Sequence, residues 1–178
     1  MAIPIVVITA FLSPEIIRVL YGEGYAQSDS ALTILIWTSL FIFPNILLVN
    51  LFIVANKQRL NAAFALVCLL VNVALNYFLI PRYGFIGSSV ATVATDMLLF
   101  ILSAYFVTKY FVDLRLIRDS VKPVLGGVML VGLLTVMHGL DAVYRISAAV
   151  AFYTLFVFVT KTLSINDVIK LKGVLQRR

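Results

Sequence analysis

The chain has 178 residues, of which 62% are hydrophobic and 12% are charged, and its net charge is +6. Its mean hydropathy of +1.07 is far above that of soluble domains. This composition excludes most soluble enzyme classes, because a soluble domain of this length could not bury so much apolar surface. It predicts an all-α integral membrane protein. The single cysteine, Cys68, lies in an apolar run and can form no intramolecular disulfide.

The sequence of residues 1–20 indicates the outer end of a transmembrane helix whose beginning is missing. The uncharged run ends at Ser13 and is followed directly by Pro14, Glu15 and Arg18. A run of this length covers roughly 20 Å, whereas the hydrocarbon core is about 30 Å thick. A signal peptide is a weaker interpretation, since no basic residue precedes the apolar run.

Five complete spans follow in chain order, each an apolar stretch between charged clusters. Together they predict a multi-pass helical bundle over residues 21–163. The spans are residues 31–55, 60–80, 85–107, 123–140 and 146–160. Residues 110–122 and 164–178 are amphipathic, and both predict helices along the inner membrane surface, the second as a cytoplasmic tail.

The distribution of Lys and Arg predicts the orientation. Arg18, Arg82 and Arg145 lie on one side of the predicted spans, and all other Lys and Arg residues lie on the opposite side. By the positive-inside rule the second side and the C-terminus are cytoplasmic, in a cell (plasma or inner) membrane. The positive charge therefore predicts contact with the lipid bilayer and no nucleic-acid partner.

Polar side chains at membrane depth are the candidate site residues. An ionised carboxylate in mid-bilayer must face protein or water, which singles out Asp96. Helical spacing places Ser89, Thr92 and Ser103 on the same face as Asp96. In the preceding span Asn72 and Asn76 project from one side. These groups either line a hydrated transport pathway and couple it to an ion, or hydrogen-bond helices together.

Two further patterns concern helix shape and packing. Pro44 interrupts the first complete span and is either a moving hinge or a static kink. Gly87, Ala91 and Thr95 recur every four residues, which predicts a ridge for helix packing. His138 is predicted to be interfacial.

The sequence contains no motif for catalysis or for a cofactor. It has no His/Cys/Asp cluster for a metal, no glycine-rich phosphate loop and no nucleophile–base set. We therefore expect no enzyme activity, no cofactor and no metal site.

Three connecting segments resemble a known family. They are LYGEGY (20–25), VANKQRLN (54–61) and NYFLIPRYGFIGSSVATVATD (76–96). In this order and spacing they resemble the C-terminal part of polysaccharide flippases of the O-antigen and teichoic-acid type, in the multidrug/oligosaccharidyl-lipid/polysaccharide (MOP) exporter superfamily. The resemblance implies the last six helices of a two-lobed, MATE-like bundle that turns over isoprenoid-linked oligosaccharide by alternating access, for cell-surface polysaccharide biosynthesis. It places Asp96 at a position that often carries an acid.

A pyrophosphate-linked glycan, the substrate that the resemblance implies, requires cations. The predicted spans contain none, so the candidates are Lys57, Arg59 and Arg82 at the cavity mouths, or missing N-terminal helices in the same or a partner chain. A non-transporting membrane subunit or scaffold, and a drug or cation antiporter of the related branch, are the alternative functions.

Overall fold

A computed structural model describes residues 2–25, 27–110, 116–137, 139 and 141–160. Every regular element in these ranges is helical. The helices are α1 (Ala2–Phe11), α2 (Ser13–Tyr21), α3 (Ser28–Leu35), α4 (Ser39–Val54), α5 (Gln58–Tyr110), α6 (Leu116–Val136) and α7 (Ala142–Val159), with short 3-10 turns at Glu23–Tyr25 and Ile36–Thr38. The chain forms two compact units, one made mainly of α1 to α5 and the other of α6 and α7.

Two helical segments within the described residues are long and apolar enough to cross a membrane. They are Ser28–Val54, with 27 residues, and Gln58–Tyr110, with 53. The helix pair Ala2–Phe11 and Ser13–Tyr21 meets the same criteria only when taken as one bent span. The all-helical class and the membrane character are therefore confirmed, and the six-helix MATE-like bundle stays a prediction.

Helix α5 is a hairpin of two antiparallel arms. Its backbone leaves the helical conformation at Gly84, where φ is 57° and ψ is −135°. The Nδ2 atom of Asn72 lies 3.0 Å from the Oγ1 atom of Thr95, 23 residues later. A straight helix would separate these residues by about 35 Å, so the chain must fold back between them. The two arms correspond to the predicted spans 60–80 and 85–107.

Two glycines make this hairpin possible. Side-chain-bearing residues rarely adopt the positive φ of Gly84, and a Cβ there would meet no atom within 4 Å, so the requirement is one of backbone conformation alone. At Gly87 the requirement is space. A Cβ on Gly87 would lie 2.6 Å from the backbone oxygen of Leu79 on the first arm. The arms therefore touch backbone to backbone, as small residues allow in membrane helices.

A left-handed asparagine ends helix α4 and starts α5. Asn56 has a φ of 55°. The Lys57 N–H donates to the Phe52 carbonyl at 2.8 Å, and the Asn56 N–H donates to the Ile53 carbonyl at 3.0 Å. These two bonds form a Schellman motif, in which asparagine is the usual substitute for glycine at the left-handed position. Helix α5 starts at Gln58, so α4 and the first arm are joined by a very short turn.

Helix α4 and both arms of α5 meet in an aromatic cluster, formed by Phe52, Phe64 and Phe106. The ring of Phe52 lies 5.8 Å from that of Phe106 and 6.1 Å from that of Phe64. Phe64 and Phe106 are in edge contact at 6.0 Å across the hairpin. Leu48 and Val107 complete the buried core beside them. Large rings at these distances stabilise the helix group through packing.

Polarity in this group is inverted relative to a soluble domain. The buried side chains include those of Asn45, Ser89, Thr95 and Ser103. Many large apolar side chains are exposed instead, among them Leu66, Leu69, Leu70, Val73 and Phe78. Lipid is as apolar as leucine, so this is the arrangement expected of helices that face hydrocarbon.

The N-terminal segment, predicted over residues 1–20 to be the outer end of a transmembrane helix, forms two helices. Helices α1 and α2 are bent by 73°, and the break lies at Leu12. Pro14 in the first turn of α2 has no N–H to donate to the Ala10 carbonyl, and its ring disfavours helix continuation. The Ser13 hydroxyl donates to that carbonyl instead, at 3.4 Å. Ser13 also lies 2.5 Å from the Thr33 hydroxyl, which joins α2 to α3.

The second unit packs α6 against α7. A Cβ on Gly126 would lie 2.5 Å from a ring carbon of Phe156, so this glycine makes room for the aromatic ring. Residues 116–122, predicted to lie along the membrane surface, form the first turns of α6. His138, residues 111–115 and the tail predicted over residues 164–178 lie outside the described residues.

We predict that Gly87→Ala and Gly84→Ala each destabilise the protein by about 1 to 3 kcal/mol, the first through overpacking and the second through backbone strain. Thermal unfolding of the detergent-solubilised protein measures this. Gly132→Ala is the matched control, because a Cβ at Gly132 meets no atom within 4 Å. Equal melting temperatures for Gly87→Ala and the control would contradict the close approach of the arms.

Candidate functional site

A chain of amide and hydroxyl groups connects the two arms of α5. The Asn76 Nδ2 atom donates to the Asn72 Oδ1 atom at 2.8 Å, and Asn72 Nδ2 donates across the hairpin to Thr95. The Thr95 hydroxyl in turn donates to its own helix, with the Ala91 carbonyl at 2.9 Å. We call these three residues the amide chain. It satisfies polar groups that hydrocarbon could not, which is how side-chain hydrogen bonds hold membrane helices together.

Ser89 and Thr92, both predicted site residues, bond to their own helix. The Ser89 hydroxyl donates to the Phe85 carbonyl at 3.0 Å, and the Thr92 hydroxyl donates to the Ser88 carbonyl at 3.0 Å. Ser89 is buried and Thr92 is half-buried. Such bonds to the preceding turn hide a hydroxyl within its own helix, so neither side chain is committed to a partner on another helix.

Asp96 follows Thr95 and is half-buried on the second arm. Its backbone oxygen accepts a long hydrogen bond of 3.5 Å from the Asn45 Nδ2 atom on α4. Within the described chain no side chain donates a hydrogen bond to the Asp96 carboxylate. Asp96 therefore lies where α4 and the hairpin meet, beside the amide chain, with its acid group available to a proton, a cation or a donor outside these residues.

Two buried amide oxygens also have no hydrogen-bond donor among the described residues. The Oδ1 atoms of Asn45 and Asn76 are both buried, and neither has a hydrogen-bond partner among the described residues. A buried acceptor without a donor costs free energy, commonly about 1 to 3 kcal/mol. Each oxygen therefore favours a donor such as water, a ligand or a further helix.

The three cations predicted at the cavity mouths do not lie together. Lys57 and Arg59 are exposed at the turn between α4 and α5, whereas Arg82 is exposed next to the Gly84 reversal at the opposite end of the first arm. Arg82 and Asn76 line an open groove of about 590 Å³. Its other lining residues are Val73, Tyr77, Phe78, Ile80 and Pro81. The groove thus combines apolar walls with one amide and one guanidinium.

Pro44, the hinge candidate, lies inside α4, which continues as a helix on both sides of it. Its neighbour Asn45 is the buried residue that contacts the Asp96 backbone. The 3-10 turn at Ile36–Thr38 lies upstream of the proline. Hinge motion at Pro44 stays a prediction.

Sequence reasoning missed two residues of this arrangement and, in the second unit, the burial of Arg145. Asn45 and Thr95 make the contacts around Asp96, although neither was among the predicted site residues. The available signals in the sequence were the position of Asn45 beside Pro44 in the first complete span and the position of Thr95 on the predicted small-residue ridge. Arg145 was placed outside the fifth span, but it lies inside α7 and is only 7% exposed. The span boundary was set by the charge itself, which hid this residue.

No group of three His, Cys, Asp or Glu side chains lies close enough to hold a metal ion in the part of the chain that the structure describes.

These features define the chain as a helical membrane protein with buried polar contacts between its spans. It is 26% identical, over 106 residues, to the capsular polysaccharide biosynthesis protein CapF of Staphylococcus aureus. The aligned region covers 60% of this chain and 27% of CapF. The chain is also 20% identical, over 179 aligned positions, to the uncharacterised membrane protein MJ1068 of Methanocaldococcus jannaschii. This alignment covers 98% of the chain and 35% of MJ1068. The chain thus spans about a third or less of these curated relatives.

No family model and no solved structure matches the chain. The similarity to CapF gives a distant link to polysaccharide biosynthesis, and both relatives agree with the membrane character of the helices.

We predict an interaction energy of about 0.6 to 2 kcal/mol between Asn72 and Thr95, the range for side-chain hydrogen bonds between membrane helices. A double-mutant cycle of Asn72→Ala and Thr95→Val, followed by thermal unfolding, measures it. The reference cycle replaces Asn72→Ala with Asn50→Ala, because Asn50 is exposed and donates only to the Ile46 carbonyl of its own helix. An Asn72–Thr95 coupling no larger than the reference value would rule out a stabilising amide chain.

Proposed function

We propose that this chain is the C-terminal part of a membrane flippase, and not an enzyme, that translocates isoprenoid-linked oligosaccharide for cell-surface polysaccharide biosynthesis. The observation that carries the proposal is the hairpin of α5. It is built from the segment IPRYGFIG (80–87), within the motif that most resembles polysaccharide flippases. The similarity to a capsular polysaccharide biosynthesis protein also supports a role in polysaccharide biosynthesis.

The polar contacts around Asp96 fit a role in alternating access. A transporter must change the exposure of its central polar groups during the cycle, and carboxylates in mid-membrane often accept the coupling ion. Asp96 lies at the junction of α4 and the hairpin, in contact with Asn45, whose buried Oδ1 atom has no donor among the described residues. We propose that protonation or cation binding at Asp96 changes the contact of α4 with the second arm.

The substrate would require more than these residues. A pyrophosphate group needs several donors or cations, and the described helices of the first unit place their exposed cations at opposite ends. We propose that further helices, in the same polypeptide or a partner chain, supply the remaining cations and complete the second lobe. Arg82 and its apolar groove could then contact the lipid-linked end of the substrate.

The length of the native polypeptide should be established first, by tagging the C-terminus at the chromosomal locus and blotting membranes. That native protein is then reconstituted into liposomes with a fluorescent isoprenoid-pyrophosphate oligosaccharide, and flipping is followed by quenching from outside. We expect turnover by the native protein with its complete set of helices. We expect none by the 178-residue chain alone if the native protein is longer or requires a partner.

We predict that Asp96→Asn lowers the flipping rate by about tenfold or more, since loss of the titratable group removes its differential interaction between states. Asp96→Glu keeps the acid and should retain most of the activity. Asn50→Ala is the control for substitution at an exposed polar position of α4. An unchanged rate for Asp96→Asn would remove Asp96 from the mechanism.

Transport of cationic drugs in place of the glycan would favour the antiporter alternative. A native protein that transports neither, yet co-purifies stoichiometrically with another membrane protein, would favour the scaffold. Either result would contradict the proposed flippase.

A further inference from the structure

We propose that the end of the first unit marked by Lys57, Arg59 and Lys109 binds the headgroups of anionic phospholipids. We call these three residues the basic end. The proposal concerns a lipid surface and does not depend on transport activity.

The fold brings the three cations to one end of the helix group. Lys57 lies in the Schellman turn, where its N–H bonds to the carbonyl of Phe52. Arg59 precedes Leu60, which packs on the core beside the aromatic cluster, and Lys109 lies one turn beyond Phe106. Each cation lies three to five residues in sequence from a ring of the aromatic cluster, and Phe52 and Phe106 are in ring contact, so the three cations lie at the same end of the helix group.

Aromatic rings hold Lys109 at the surface. Its ammonium nitrogen lies 5.6 Å from the centre of the Tyr105 ring and 5.2 Å from that of Tyr110. Both rings are themselves exposed, by 64% and 58%. Tyrosine and lysine together at the end of a membrane-spanning helix are typical of the headgroup region, where rings meet acyl chains and ammonium groups meet phosphate.

The charge at this end is not neutralised by acids in the same segments. Neither residues 55–64 nor residues 100–110 contain Asp or Glu. The first unit offers a contrast in Arg18, which forms an ion pair of 3.5 Å with Glu23. Cations at a membrane surface that have no acidic neighbour in these two described segments attract anionic lipids, each contributing roughly fivefold to binding.

Phospholipid, rather than a soluble anion, fits the surroundings of the cations. Val54, directly before the turn, is 81% exposed, and the exposed ring of Tyr105 lies about one turn before Lys109 on the second arm. A free phosphate would use the cations alone, whereas a phospholipid also places acyl chains against these apolar surfaces. The combination of phosphate-binding charge with exposed apolar surface selects a lipid headgroup.

The test measures lipid retention by native mass spectrometry of the purified protein, with phosphatidylglycerol and phosphatidylcholine at equal concentration. The test variant is Lys57→Gln/Arg59→Gln/Lys109→Gln. The control is Arg18→Gln, which removes an exposed cation elsewhere in the same unit. A charge-preserving variant, Lys57→Arg/Arg59→Lys/Lys109→Arg, separates charge from side-chain shape.

We expect the triple neutral variant to lose phosphatidylglycerol binding by at least about tenfold, with phosphatidylcholine binding unchanged. The control and the charge-preserving variant should bind like the original protein. Melting temperatures in phosphatidylcholine verify that all variants fold. A substantial loss in the control, or no loss in the folded triple variant, would overturn the proposal. So would competition by glycerol phosphate at the same concentration as the lipid, since it would identify a soluble anion as the ligand.

Discussion

The backbone contact between Gly87 and Leu79 sets the register of the first unit. Once the chain has reversed at Gly84, this contact decides which residues of the two arms face each other. The amide chain joins the arms in the middle of the hairpin, and the aromatic rings of Phe64 and Phe106 meet near its far end. A side chain at position 87 would force the arms apart at this point, and the hydrogen bonds and ring packing along the hairpin depend on distances of a few ångströms.

This register explains why polar groups are buried while leucine and valine face outwards. In water, helices associate because apolar surface leaves the solvent, but in lipid that driving force is absent between helices. Close backbone approach and satisfied polar groups take its place. The buried hydroxyls of Ser89 and Ser103 lie in the same helix pair as the exposed Leu69 and Leu70. Helix association in this unit therefore depends on polar side chains at membrane depth.

Much of this fold was predictable because hydropathy and charge act along the chain. The spans 60–80 and 85–107 emerge from composition, and the small-residue ridge correctly predicts the buried face of Gly87, Ala91 and Thr95. The partners of each polar group were less accessible, since they depend on the rotation of one helix against another. Thus Asn72 meets Thr95, while Ser89 and Thr92 bond within their own helix. The bend between α1 and α2 and the burial of Arg145 also required three-dimensional information.

The two turns that flank the first arm of α5 also limit how this unit can deform. The Schellman turn at Asn56 and the reversal at Gly84 are both short. Each requires a positive φ, a backbone conformation that few other residues adopt. Helix α4 and the two arms are consequently connected by short turns, which leave little freedom for one helix to reorient against the next. A change in the angle between two of these helices must therefore alter the backbone at one of the turns or bend a helix. Helix α4 contains Pro44 and follows the short 3-10 turn at Ile36–Thr38, where the hydrogen-bond geometry is weaker.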